Sequence, residues 1–295
     1  MFVNPFEQVG QWYRGNTHSH STESDGRLPI AERFGAYREA GYDFLVLTDH
    51  RKVNDVSAHS SGDFLAISGS EVHPANPYGG DRYHIVAINI HERINCAELH
   101  PNAVIDEIKK QGGEAVLCHP YWCGHTLVDY LPLRDYFAVE VYNDTCMGIG
   151  KGFSEEAWDS LLDKVGPVFG IAADDAHGTQ HDCFHGWVMV KAAELTIESI
   201  MTAFRSGAFY STLGPELTDL KVVGTNGQRK LIVNCSPAKV VFFKGQRSRG
   251  RRIVAPEGEM LTEVEYEVPT SAKYVRVEVI DEQGKKAWSN PLFFA

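Results

Sequence analysis

Up to about residue 214 the chain alternates short β-branched runs with helical stretches, and this alternation limits what it can fold into more than any other feature. Strand-like runs fall at 12–17, 43–48, 64–69, 83–89, 114–118, 137–142 and 168–173, the signature of an α/β barrel or a doubly wound sheet. Residues 29–40 carry Pro29 in a first turn, set Ile30, Phe34 and Tyr37 on one face, and stop at Gly41. Ser154 ahead of Glu155 and Glu156, with Trp158, Leu161 and Leu162 behind, reads as a capped amphipathic helix. Thr196 to Arg205, stopped by Gly207, reads as another.

From Leu217 onward the text changes to strand alone: LTDLKVVG, KLIVNC, KVVFFKG, TEVEYEV, YVRVEVID and AWSNPLFF, separated by turns such as TNGQ and DEQG. Six short strands in so few residues predict a small β-sandwich appended after Gly214-Pro215. No low-complexity linker intervenes, so the two parts are expected to pack together.

A hydrophobic content of 43% over 295 residues supplies a real core for both parts. Apolar runs such as FLVL at 44–47 fall far short of the roughly 20 residues that span a bilayer. The N-terminus lacks the basic, apolar and small-residue order of a secretory signal, and a soluble cytoplasmic protein is expected. Six cysteines scattered without a CxxC pair predict reduced, structural thiols. The net charge of −11 argues against a broad face for a polyanion, so neither a nucleic-acid polymer nor a membrane is an expected partner. A small anion held by metal ions needs no such face.

Five places carry chemistry. GNTHSHSTESDG supplies His18-x-His20, whose imidazoles point the same way on an extended segment, and then Asp25 in the following turn. LVLTDH ends a strand in Asp49 and His50, FLAISGSEVH puts Glu71 past another, AVLCHP ends in His119, and FGIAADDAH ends in Asp175 and His177. Too few residues separate Glu71 from Tyr83-His84 for a crossover helix, so this pair of strands should run antiparallel and bring Glu71 to His84. Each element taken singly has an ordinary explanation, such as a polar loop, a turn-forming aspartate or a satisfied core histidine. Five strand ends on one face do not, because burying so many imidazoles and carboxylates without partners is costly. His18, His20, Asp25, His50, Glu71, His84, His119, Asp175 and His177 are too many donors for one ion and suit two or three ions that share bridges. With no thiolate among them, the set suits Zn, Mn or Fe.

In that order, His18-x-His20, Thr48-Asp49-His50, Glu71, His84, His119-Pro120 and Asp175-x-His177 resemble the motifs of the polymerase and histidinol phosphatase (PHP) family of metal-dependent phosphoesterases, over roughly residues 13–214. The resemblance implies a distorted (β/α)7 TIM-like barrel in 1–214, and the strand pattern makes 215–295 an Ig-like sandwich beside it. It implies two or three divalent ions: one on His18, His20, Glu71 and Asp175, a second on Glu71, His84 and His119, a third on Asp25, His50 and His177. The implied reaction is hydrolysis of a small phosphorylated metabolite, a nucleotide or sugar phosphate, by a metal-bound hydroxide. Histidinol phosphatases commonly have His where this chain has Asp25, which argues against histidinol phosphate.

Glu71, Asp49 and His177 are the expected catalytic residues, Glu71 as the bridge between ions and Asp49 as a carboxylate that orients an imidazole or merely shapes a turn. Arg51, Arg82 and Asn143 are the expected contacts of the phosphoryl oxygens. Two other readings stay open, a carbamate, amide or ester hydrolase on the same metals and a non-catalytic metal-containing binding module. His73 and His125 are expected to line the cleft, Cys118 to point away from it, and the basic run from Lys244 to Arg252 to be a solvated hairpin loop. Gly178 and Gly186 argue against a helix that would align His177, His181 and His185.

Overall fold

The computed structural model describes residues 3–225 and 228–294, so the Asn226-Gly227 centre of the TNGQ turn lies outside the described residues. The first part supplies β1 Gln11–Asn16, β2 Phe44–Leu47, β3 Leu65–Val72, β4 Ile85–Ile88, β5 Glu114–Leu117, β6 Ala138–Asn143, β7 Phe169–Ala173, β8 Trp187–Ala192 and β9 Phe209–Thr212. Its helices are α1 Ile30–Glu39, α2 Pro101–Lys110, α3 Pro120–Cys123, α4 Leu127–Tyr130, α5 Asp144–Met147, α6 Glu155–Lys164 and α7 Ile197–Ser206.

The strands lie in the order β9-β8-β1-β2-β3-β4-β5-β6-β7. β1, β2 and β3 are parallel, as are β5, β6 and β7, while β4 runs against both of its neighbours with Ile85 opposite Val72, as the short 71–84 connection requires. Every predicted strand of this part is present within a few residues. β8 and β9 were not foreseen, and both are antiparallel.

These two strands also explain why the expected closed barrel is not found among the described residues. No ladder joins β7 to β1 or β8; the seam is held by the single Ser19–Ala176 bridge and by side chains, with Asn16 Nδ2 donating to Asp174 Oδ2 and Ala172 N to Ser211 Oγ. The free side of β9 pairs instead with the C-terminal part.

That part contains β10 Leu217–Val223, β11 Arg229–Ala238, β12 Val240–Gly245, β13 Gly250–Val254, β14 Leu261–Val268, β15 Tyr274–Ile280, β16 Lys286–Ser289 and β17 Leu292–Phe293. β10, β11 and β14 form a separate three-stranded sheet. β13-β12-β15-β16 continues through β16–β9 pairing into the main sheet, which thereby reaches 14 strands. Leu220, Leu231, Val233 and Val264 meet Val241, Phe243, Val277 and Val279 in the core between these layers. AWSNPLFF divides into β16 and β17 around Asn290-Pro291, where the proline lacks the donor that a ladder needs. The basic run is not all loop, since Arg251 and Arg252 lie on β13 opposite Phe243 and Phe242.

Helix ends follow the sequence with two changes. Pro29 sits one position earlier than expected, at the N-cap of α1, and Gly41 follows the helix with φ +79°, a conformation that favours glycine. Ser154 is at the N-cap of α6, but its hydroxyl accepts the Tyr121 N–H at 3.1 Å and not one from its own helix. Among the described residues no helix is long and apolar enough to cross a membrane.

Candidate metal centre

The strand ends converge, and Glu71 is the hub. It leaves the end of β3 with its side chain 1% exposed. Its Oε2 lies 2.9 Å from His50 Nδ1, 3.2 Å from His18 Nε2 and 3.5 Å from His20 Nε2. Its Oε1 lies 2.6 Å from His84 Nδ1, 3.5 Å from His119 Nε2 and 3.6 Å from His73 Nε2. One carboxylate thus faces three imidazoles with each oxygen.

Asp175 Oδ1 sits 2.9 Å from His20 Nε2 and 3.1 Å from His18 Nε2, so His18, His20, Glu71 and Asp175 form one compact donor group. Nearer the solvent, Asp25 approaches His50 Nε2 at 3.2 Å and His177 Nε2 at 3.4 Å. His20 joins this second group as well, so it faces both. A cavity of about 260 Å³ opens on the centre, with Trp122 as its aromatic wall. A cavity of about 360 Å³ beside Val53 and Ile197 has none of these donors.

Two observations make this a place for cations. His20 Nδ1 is buried and has no hydrogen-bond partner, an arrangement that proteins avoid unless something else satisfies the atom. Charge points the same way. Burial raises the Glu71 carboxyl, yet His18 and the hydrogen bonds from His119, His18 and His50 hold it well below the usual carboxylate range. Burial disfavours a charged His18, yet Asp175, Glu140 and Glu71 raise its pKa well above the ordinary value. Both shifts come from the close pairing of carboxylates with imidazoles, which concentrates negative charge where a cation could sit. His20 goes the other way, held down by burial despite Asp175.

The backbone brings the donors round at the strand ends. His119 has φ 27° and Asp175 φ 57°, left-handed conformations uncommon outside glycine. The turn at His119 also overturns the reading of Cys118. Strict alternation would place neighbours on opposite faces, but Cys118 packs in the inner core with Val116 and lies close to His18 and Glu140, beneath the site.

Several supporting residues were missed. Glu140 in β6 is 1% exposed, with Oε1 2.7 Å from His18 Nδ1, while Oε2 accepts from His119 N and Asn143 Nδ2, each at 2.9 Å. Its signal was a lone carboxylate inside the apolar run FAVEVYN. Asp174 accepts from Tyr37 Oη, Asn16 Nδ2 and the backbone N–H groups of Phe184, His185 and Gly186, so it orders the loop behind His177. Arg33, fully buried on α1, donates to the carbonyls of His20 and Gly178 and ties two ligand loops together.

Four expected roles need correction. Asp49 accepts from Ser21 N, Ser21 Oγ, Ser24 Oγ and Asn54 Nδ2, so it braces the 18–25 loop and orients no imidazole. Asn143 is buried, donating to Glu140 and Asp175 and capping α5. Arg82 reaches the carbonyls of His73 and Ala97. Arg51 contributes a backbone N–H to Glu71 O, and its exposed side chain does not line the cavity. His73 does face the centre, whereas His125 is held by Asp81 O and Tyr130 outside it. The 178–186 segment is loop, as its glycines predict.

Fold and site together define a mixed α/β protein with a large sheet and a buried His/Glu/Asp cluster of the kind that holds divalent cations. The chain shares its fold with a two-domain protein from Bacteroides vulgatus containing a predicted PHP-like metal-dependent phosphoesterase, 17% identical with a TM-score of 0.55 and 99% of each chain covered. An amidohydrolase from Chromobacterium violaceum, solved with bound sulfate, is 14% identical over 57% of this chain and 89% of its own, with a TM-score of 0.44. A predicted metal-dependent phosphoesterase from Bifidobacterium adolescentis is 12% identical over 56% of this chain and 88% of its own, with a TM-score of 0.42. No family model and no curated protein matches the chain.

Proposed function

We propose that the protein is a metal-dependent hydrolase of the PHP type that cleaves the phosphate ester of a small metabolite, such as a nucleotide or sugar phosphate. The observation that carries this reading is Glu71, a buried carboxylate whose two oxygens address two separate sets of imidazoles, as a bridge between ions must. His18, His20, Glu71 and Asp175 would hold one cation, Glu71, His84 and His119 a second, and Asp25, His50 and His177 a third. Zinc, manganese or iron at these positions would supply an activated water and neutralise phosphoryl oxygens during an in-line displacement.

The chain's own groups set the geometry. Glu140 fixes the ring of His18 through Nδ1, and Asp182 fixes the backbone of His177 through its N–H at 2.8 Å. His177 Nδ1 is turned to the Asp175 carbonyl at 2.6 Å, which leaves Nε2 aimed at Asp25. Asp25, with its side chain 54% exposed, marks the mouth where substrate arrives, and its presence where histidinol phosphatases commonly have His argues against histidinol phosphate. We read residues 1–214 as the hydrolase, its open sheet an unclosed relative of the family's distorted barrel, and 215–295 as an accessory sandwich.

The test is turnover by the metal-loaded protein. Hydrolysis of p-nitrophenyl phosphate without hydrolysis of p-nitrophenyl or naphthyl esters supports the phosphoesterase reading, and the reverse pattern overturns it in favour of ester or carbamate chemistry. Fewer than about two ions per chain with no hydrolysis would make the site a binding module.

A further inference from the structure

We propose that His73 is a metal ligand, a tenth donor that joins Glu71, His84 and His119 around the Glu71 Oε1 side of the centre. The inference rests on the metal-dependent reading above. It starts from spacing: Glu71-x-His73 repeats the two-residue reach of His18-x-His20 and Asp175-x-His177, which puts both side chains on one face of an extended segment.

The structure adds convergence. His73 Nε2 lies 3.6 Å from Glu71 Oε1, the oxygen that His84 Nδ1 and His119 Nε2 also face, and 3.1 Å from His50 Nδ1. Glu71, His50 and His73 form one compact donor group by themselves. The ring is packed at 4.1 Å, nearly parallel, against that of His84, so its direction is fixed, and the side chain is only 14% exposed.

Its backbone is anchored independently. The His73 N–H donates to Cys96 Sγ at 3.3 Å and its carbonyl accepts from Arg82 Nη1 at 3.2 Å. This gives Arg82 a task in place of the one the sequence suggested, because it holds the carbonyl of a donor. Four protein donors fill a tetrahedral ion. With four protein donors such an ion would keep little room for substrate, and the more open positions would belong to the Asp25 side.

Cobalt(II) is the probe. Full-length protein and its His73→Ala and His73→Gln variants are loaded with Co(II), titrated with a chelator while visible absorption is followed, and assayed for metal content. We expect at least one Co(II) per chain to bind about tenfold or more weaker in both variants. Altered d–d bands and a reduced imidazole count by X-ray absorption should accompany this loss, with the thermal midpoint of the metal-free proteins unchanged. Weaker binding with bands and imidazole count unchanged would overturn the inference by making His73 a positioning residue acting through His50. Unchanged affinity and spectrum in either folded variant would overturn it too, while leaving the metal-dependent reading intact. A wild-type chain that binds no Co(II) would overturn both.

Discussion

The metal centre and the seam between α6 and the C-terminal strands both bury charge, and they settle it differently. In the seam every buried charge has an opposite partner in the chain. Arg276, fully buried, is bidentate to Asp159 at 2.7 and 2.8 Å; Glu278 meets Lys244 at 2.6 Å and Lys286 at 3.4 Å; Lys286 and Trp288 Nε1 both reach Glu155. In the centre, carboxylates face imidazoles, and one buried imidazole nitrogen has no hydrogen-bond partner. The difference separates a charge network that holds the fold from one completed by an ion.

The largest expected effect is at the hub. Glu71→Gln should lower kcat/KM by about a thousandfold or more, some ~4 kcal/mol of transition-state stabilisation. Metal analysis of the same variant should show more than one ion lost per chain. Retained activity and metal content would erase the distinction between the two regions.

Next comes the seam. Arg276→Met should cost about 2 kcal/mol in urea unfolding, less than a fully buried pair because Asp159 is 38% exposed, and should leave metal content unchanged. Glu140→Gln should do the opposite, weakening metal affinity by roughly tenfold to a hundredfold in a competition titration with little change in the unfolding midpoint of the metal-free protein.

The smallest effect concerns pH. Burial raises the Glu278 carboxyl, but Lys244 and Lys286 hold it below its ordinary value. A depressed carboxylate stabilises fully above its unfolded pKa of about 4.3, and that contribution is lost as pH falls through the folded value. Glu278→Gln should therefore show a shallower loss of stability in acid than the parent chain. Parallel acid unfolding curves would count against the seam as a charge-paired lock.

Much of the centre was readable because it sits where an apolar run stops, and residues such as His50, Glu71 and His119 stand out against LVL, ISGS and AVLC. Glu140 escaped because it lies inside a strand and not at its end, its one signal being a lone carboxylate in an apolar run. Asn143 and Arg82 were misread because side-chain direction beyond a strand end depends on local turns, a cap in one case and two carbonyls in the other. Cys118 was misread because alternation fails at the left-handed His119. In the fold, the strands of the first part were legible from β-branched runs, and WVMVKA with its alternating burial carries the same signal for β8, whereas the β9–β16 junction depends on pairing between distant residues that no local pattern encodes.

The exposed basic run ends up with an architectural consequence. β13 is a terminal strand of the 14-stranded sheet, and an unpaired edge is a template on which another chain can add. Arg251 and Arg252 are both exposed on it, so a second copy laid edge to edge would bring like charges together. The run expected from sequence to be a solvated loop thus carries charge onto a sheet edge, where charge opposes edge-to-edge growth.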